Sequence, residues 1–173
     1  VFEGVIYDTA SISTLHALTA AREAAVPDVR RLGLAGRNDV PRLRVYCSDQ
    51  THSSIDKGVI LAGFGHESLR KIPSDEAFRM RSDLLVEAIA EDRAGGVLPV
   101  AAVATIGTTS TTSVDPVATI ADVCAAERIW LHVDGAYGGV TAMLPECAHH
   151  FAGLPRADSF VVNPHKWLFT PFD

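Results

Sequence analysis

From Leu43 onward the chain alternates short apolar runs with longer stretches of helical character, and no other property of the sequence restricts its fold as much. Strand-like runs at Leu43–Cys47, Ser68–Ile72, Leu98–Thr105, Ile129–Val133 and Phe160–Val162 are interleaved with helix-like stretches at Thr51–Ala62, Arg81–Ala94 and Pro116–Glu127. Leu98–Thr105 reads Leu-Pro-Val-Ala-Ala-Val-Ala-Thr, apolar at successive positions instead of every second one. A strand shows that pattern when helices cover both faces of its sheet. Strands joined through helices pair in parallel, so the fold class expected is α/β, a mostly parallel sheet with helices on both faces. A hydrophobic content of 47% supplies the apolar surface that such a sheet buries, while no apolar run approaches the roughly 20 residues of a membrane span.

Upstream of this alternation, Val1 to Tyr7 has the mixed character of a short strand. Asp8-Thr9-Ala10-Ser11 then opens an alanine-rich helix to about Val26, where Pro27 ends it. Ile12, Leu15, Ala17, Leu18, Ala21 and Ala25 form its apolar face, small enough for close approach to a sheet. Pro27 to Arg42 reads as a surface excursion, and its arginines, with Arg22 and Arg44, as a solvated face.

In an open parallel sheet the loops that follow the strands gather at one edge, and ligands bind there. Few residues with chemistry stand at those positions: Thr9 and Ser11, Asp49 and His52, Thr108 and Thr109, Asp134, then His165 and Lys166. Lys166 lies among the apolar Trp167, Leu168 and Phe169. A lysine desolvated by such neighbours holds its proton less tightly, and the free amine can form a Schiff base with a carbonyl. The competing reading is a lysine whose stem lies along apolar surface with its ammonium in water. Asp134 closes Trp130-Leu131-His132-Val133, where a carboxylate needs a cationic or hydrogen-bonding partner. A protonated ring nitrogen is such a partner, and an ordinary loop cap is the alternative. Asp134 and Lys166 are separated by about one strand-to-strand crossover, so both can reach the same edge of adjacent strands.

Three motifs in this order and at these distances, Ser48-Asp49-Gln50-Thr51-His52-Ser53-Ser54, His132-Val133-Asp134-Gly135-Ala136-Tyr137 and Asn163-Pro164-His165-Lys166-Trp167, resemble the group II pyridoxal-phosphate-dependent amino-acid decarboxylases. The resemblance covers nearly the whole chain. It implies that residues 1–173 are part of the large cofactor-binding domain of a fold-type I enzyme, with an N-terminal segment, the rest of that domain and a C-terminal small domain outside this sequence. It also implies roles. Lys166 matches the lysine that holds pyridoxal phosphate covalently, and His165 a histidine that helps to hold its phosphate. Asp134 matches the aspartate that keeps the pyridine nitrogen protonated. His52 matches the histidine stacked over the ring, and Ala136 the small residue beneath it. Ala10 and Ser11 match the phosphate corner, in agreement with the affinity of helix N-termini for anions. Thr109 matches a threonine near the lysine and a cofactor oxygen, and Asn163 a further polar residue of the corner. Lys166, His52 and Asp134 form the expected catalytic set.

The activity implied is decarboxylation of an L-amino acid to its amine by a homodimer. Tyr137 resembles the aromatic-acid members more than the glutamate ones, for which tryptophan is expected. Tyr7 and Asp8 depart from the glycine- and serine-rich lead-in of the aromatic-acid members. An aldehyde synthase of the same family, a cysteine desulfurase and a catalytically incompetent cofactor-domain fragment stay open, since the residue that separates amine from aldehyde chemistry is expected past Asp173. The formal net charge of −6 argues against nucleic acid or an anionic membrane as partner. Cys47, Cys124 and Cys147 form no C-x-x-C pair, which argues against a disulfide framework or zinc site and fits a reducing cytoplasm. His149 and His150 with Cys147 suggest a metal site, but neighbouring residues on a helix point in different directions, so no metal is expected. His16 and His66 are expected at the surface.

Overall fold

Seven of the eight residues of the central strand are buried, and the other elements are arranged to cover them. The computed structural model describes residues 3–171. In chain order the elements are α1 (Ala10–Ala25), the short α2 (Val29–Leu32), β1 (Leu43–Ser48), α3 (Ser54–Leu61), β2 (Leu69–Ile72), α4 (Ser82–Ala94), β3 (Leu98–Thr105), α5 (Val117–Glu127), β4 (Trp130–Asp134), β5 (Ser159–Val161) and α6 (Pro164–Trp167). The strands form one sheet in the order β2-β1-β3-β4-β5, with every pair parallel. The α/β architecture read from the alternation is therefore present, with boundaries within a few residues of those expected.

Side-chain alternation along each strand divides the core into two layers. Val45, Cys47, Ala101 and Val103 pack with Leu18 and Ala21 of α1 and with Ile55 and Val59 of α3. Tyr46, Ala102, Ala104, Leu131 and Val133 pack on the opposite face with Leu85 and Ile89 of α4 and with Ile120 and Cys124 of α5. Alanines at the centre of β3 let helices approach both faces. Pro99 of β3, which has no N–H to give the ladder, is accommodated where the β1–β3 register shifts between Arg44 and Val45.

The direction of α1 follows from its contacts. A Cβ on Gly58 would meet Leu18 and Thr14 in the first half of α1, while Arg22 near its end donates to the Ala62 carbonyl just past α3. The two helices thus run parallel. Since α3 begins after β1, both start at the carboxyl edge of the sheet. Topology favours the same edge, because the chain leaves β1 for β2 on one side and returns to β3 on the other, opening a crevice beyond the ends of β1 and β3.

Several expectations are corrected. No strand forms over residues 3–7, where Val5 and Ile6 are 67% and 79% exposed without a pairing partner; residues 1 and 2 of that segment lie outside the described residues. The buried stripe of α1 is Thr14, Ala17, Leu18 and Ala21, narrower than expected, and leaves Ile12 exposed. The arginine-rich segment is not uniformly solvated: Arg22 holds the Ala62 carbonyl, Arg37 is bonded to Asp39 and the Pro27 carbonyl, and Arg44 pairs with Asp92. Between β4 and β5 the chain makes 3-10 turns over Gly138–Met143 and Pro145–Phe151 that the apolar pattern did not announce. In the second, the rings of His149 and His150 lie 3.8 Å apart. His16 and His66 are exposed. Among the described residues, no helix is long and apolar enough to cross a membrane.

Two buried carboxylates tie the layers together. Asp92 of α4 accepts from Tyr46 Oη at 2.9 Å and from Arg44 Nη2 at 3.1 Å, with Arg70 Nη1 at 3.3 Å. Asp115, 2% exposed, accepts from the backbone N–H of Met80 at 2.7 Å and of Thr105 at 2.8 Å, fastening the β2–α4 loop to the end of β3. Asp92→Ala removes the acceptor from buried Tyr46 and Arg44 and is expected to cost about 3 kcal/mol in chemical denaturation. Burial pushes the Asp115 carboxyl up to about 6 against the pull of its two N–H donors. A carboxyl that binds its proton more tightly folded than unfolded contributes stability at low pH that is lost as pH rises from near 4 through 6. Urea midpoints measured across that window are expected to show this decline in the parent and to lose it in Asp115→Asn.

Candidate functional site

Four strand ends and one helix start converge at the carboxyl edge. β4 delivers Asp134 there at 5% exposure, paired in register with Thr105 of β3 and Val161 of β5. Asp134 Oδ1 accepts the Ala136 N–H at 3.0 Å, which curls the chain back over the strand end. The same residue's carbonyl receives the Asn163 N–H at 3.3 Å, so Asp134, Ala136 and the buried Asn163 form one bonded unit across β4 and β5. No ion pair reaches Asp134 among the described residues, and its second carboxylate oxygen has no donor there.

Two more residues on, α6 presents His165 and Lys166, both exposed. The desolvation expected for Lys166 is not met within this chain. Trp167, Leu168 and Phe169 are themselves 44%, 46% and 83% exposed, because α6 is a single turn whose aromatic contact is the Trp167 ring stacked on Tyr137 at 4.8 Å and 11°. That stack joins α6 to the turn after Asp134 and fixes the Lys166 side of the site relative to the carboxylate side.

His52 stands on the β1–α3 loop. Its Nδ1 accepts the Ser54 N–H at 3.1 Å and lies 2.9 Å from Ser54 Oγ, so the ring is pinned through one nitrogen while the other faces outward. After β3 the hydroxyl-rich loop divides its roles. Thr108 is buried, with its Oγ1 accepting the Ser113 N–H at 2.9 Å and lying 2.6 Å from Thr111 Oγ1, whereas Thr109 is exposed and makes no bond through its hydroxyl among the described residues. The loop turns at Gly107, with φ of +84°, where a Cβ would lie 3.0 Å from the backbone nitrogen of Gly138 and from Tyr137 Cδ1. At the start of α1, Thr9 Oγ1 caps the Ile12 N–H at 3.3 Å, leaving the N–H groups of Ala10 and Ser11 without acceptors among the described residues.

Each residue singled out from the sequence therefore lies at this edge: Asp134, Ala136 and Asn163 in one bonded unit, His165 and Lys166 on the adjoining turn, His52, Thr109 and the Ala10–Ser11 corner on neighbouring loops. The chemistry of this set suits a flat, anionic, heteroaromatic aldehyde. A free oxygen of a buried carboxylate calls for a cationic N–H, unspent N–H groups at the start of a sixteen-residue helix call for an anion, and an exposed amine can take a carbonyl. Pyridoxal phosphate carries a pyridine nitrogen, a phosphate and an aldehyde, and the residues present fit it. Sequence reading did not single out His132, Thr105 or Ser159, which are the polar groups packed behind Asp134. Their signal was alternation, since His132 and Asp134 must share one face of β4.

Comparison with known proteins agrees with this chemistry. The pyridoxal-dependent decarboxylase conserved domain matches residues 2–173. The Bos taurus aromatic-L-amino-acid decarboxylase is 43% identical over 177 residues, covering 98% of this chain and 35% of its own length. Mouse CSAD superposes with a TM-score of 0.93 at 37% identity over 98% of this chain and 35% of that one. Oryza sativa TDC, solved with PLP and tryptamine, gives 0.88 at 43% identity over 98% and 34%. The chain thus spans about a third of the length of the relatives it matches. From the geometry at the loop after β3, Gly107→Ala combines a left-handed backbone with a backbone collision. It is expected to lower stability by about 1–3 kcal/mol, and to quench less of the Trp167 fluorescence through the displaced Tyr137.

Proposed function

Since the chain belongs to the pyridoxal-dependent decarboxylase family, we propose that residues 1–173 are part of the large cofactor-binding domain of an enzyme that removes the carboxyl group of an L-amino acid to give the amine, with aromatic side chains favoured. The observation that carries this reading is Asp134, a buried carboxylate with one oxygen unspent, standing one strand away from the turn that holds Lys166. Pyridoxal phosphate, when bound, supplies the electron sink for the carbanion left by loss of carbon dioxide.

The chain's own residues have distinct tasks in this reading. Asp134 would hold a proton on the pyridine nitrogen, with the Ala136 N–H fixing its carboxylate in place. Lys166 would hold the cofactor through Nζ, and His165 with the Ala10–Ser11 corner would hold its phosphate. His52, pinned through Nδ1 by Ser54, would cover the cofactor ring, with Ala136 beneath it. Thr109 and Asn163 complete the polar rim. Tyr137, held by its stack on Trp167, is the residue of this chain that supports the aromatic-acid lean, with the bovine aromatic-L-amino-acid decarboxylase as the relative that agrees with it.

A homodimer fits this reading, because Trp167, Leu168, Phe169, Met143 and Leu144 leave apolar surface uncovered near the site. A reducing compartment fits the free cysteines, two of them buried with thiols pushed up to about 12. The decisive experiment is borohydride reduction of the full-length protein with pyridoxal phosphate, followed by peptide mass analysis. The adduct is expected on Lys166 and absent from Lys166→Ala; an unchanged adduct in that variant overturns the assignment. Product analysis with aromatic L-amino acids and with glutamate is expected to give the aromatic amine. Aldehyde with ammonia and peroxide would instead show that oxidative deamination by dioxygen follows the loss of carbon dioxide.

A further inference from the structure

Asp134 and the Lys166 turn are both tied to the same two residues, Ala136 and Tyr137. On the carboxylate side, Asp134 Oδ1 accepts the Ala136 N–H at 3.0 Å. On the lysine side there are two attachments. The leading end of α6 is fastened where the Asn163 N–H donates to the Ala136 carbonyl at 3.3 Å, and the Asn163 carbonyl in turn accepts the Lys166 N–H at 3.1 Å. The far end is fastened where the Trp167 ring stacks on Tyr137 at 4.8 Å and 11°. No side chain caps this single turn, and Lys166 is exposed, so packing does not steer its stem.

The shared turn is held from behind. The Gly138 N–H donates to the Ile106 carbonyl at 3.0 Å and the Gly139 N–H to the Gly135 carbonyl at 2.8 Å. A Cβ on Gly138 would lie 2.7 Å from the Ile106 carbonyl oxygen, and one on Gly107 would lie 3.0 Å from Tyr137 Cδ1, so the chain just past β3 backs both the turn and the tyrosine ring. Tyr137 is therefore a fixed partner for the stack. Without the stack, Asp134 and Ala136 stay joined, whereas among the described residues α6 keeps only the 3.3 Å bond from Asn163, beyond the three-residue β5. The flexible lysine stem then spreads Nζ over a larger volume, which lowers the effective concentration of the amine at any fixed carbonyl.

We propose that Trp167 is a positioning residue for Lys166: through its stack on Tyr137 it holds the lysine turn in place relative to Asp134, so that amine and carboxylate meet one rigid cofactor ring together. This rests on the cofactor reading given above. In the attachment that Trp167 governs, Nζ as the free amine adds to the aldehyde carbon, a C=N bond forms, and the aldehyde oxygen leaves as water with both amine hydrogens. Asp134 and the phosphate corner take no part in that bond. Trp167 thus acts on covalent attachment and not on the rest of cofactor binding.

The test titrates the full-length apoprotein with two probes: pyridoxal phosphate, and deoxypyridoxine phosphate, which carries a methyl group in place of the aldehyde and cannot bond to Lys166. Trp167→Leu keeps apolar bulk without a stack, and Trp167→Phe keeps a ring. In Trp167→Leu the affinity for pyridoxal phosphate is expected to fall about threefold to tenfold, the range set by loss of an aromatic pair, and the yield of borohydride-trapped Lys166 to fall with it. Its affinity for deoxypyridoxine phosphate is expected to equal that of the wild type, and Trp167→Phe is expected to match the wild type with both probes. Equal losses for the two probes in Trp167→Leu, or wild-type affinity for pyridoxal phosphate there, overturn the proposal. Tyr137→Leu removes the stack from the other side and guards against a folding defect peculiar to the Trp167 variants. It is expected to show the same selective loss, and the double variant no more than either alone, since the two rings act as one pair. Additive losses, or a loss shared by both probes, refute the proposal. A wild-type protein that binds neither probe removes the cofactor reading itself, an outcome distinct from these.

Discussion

A carboxylate at the end of a buried strand, with one oxygen unspent, constrains everything near it. Asp134 sits at 5% exposure at the end of β4, and the backbone satisfies only one of its oxygens, through the Ala136 N–H. Such a group is costly unless a cation or a set of donors meets it. The glycines around it and the curl through Ala136 to Asn163 leave that remaining oxygen available at the carboxyl edge.

The sheet makes this placement robust. β3 is buried on both faces, and its small side chains let α1 and α3 pack from one side and α4 and α5 from the other. A parallel sheet wrapped in this way has loops free to vary only at its edges, and Asp115 stiffens the carboxyl edge by binding the N–H groups of Met80 and Thr105 at once. Removing any one loop leaves the strands in register. Removing β3 would leave neither layer of the core with a floor.

The fold was legible because apolar runs mark β1, β3 and β4, and Gly95-Gly96 marks the end of α4. β3 was read to the residue, Leu98–Thr105, since a run buried on both faces needs no register to be recognised. The edge-placed site residues followed from topology, as a parallel sheet sends every loop after a strand to one side. What escaped reading depends on contacts between distant residues. Arg44 looked like surface until Asp92, on α4, came within 3.1 Å. The 3-10 turns between β4 and β5 have no period that a local window detects, and they bring His149 and His150 together. Lys166 looked desolvated by its sequence neighbours, but three apolar side chains on a single exposed turn cannot bury one another.

The parallel run of α1 and α3 has an electrical consequence. Both helices begin at the carboxyl edge, as do α4 and α5 after β2 and β3, so the partial positive charges at their first turns add together on one rim of the sheet. The chain as a whole carries a formal charge of −6, so this positive contribution comes from backbone N–H groups and not from an excess of basic side chains. The positive ends of those helices favour an anion bound at their first turns, against the negative charge of the chain as a whole.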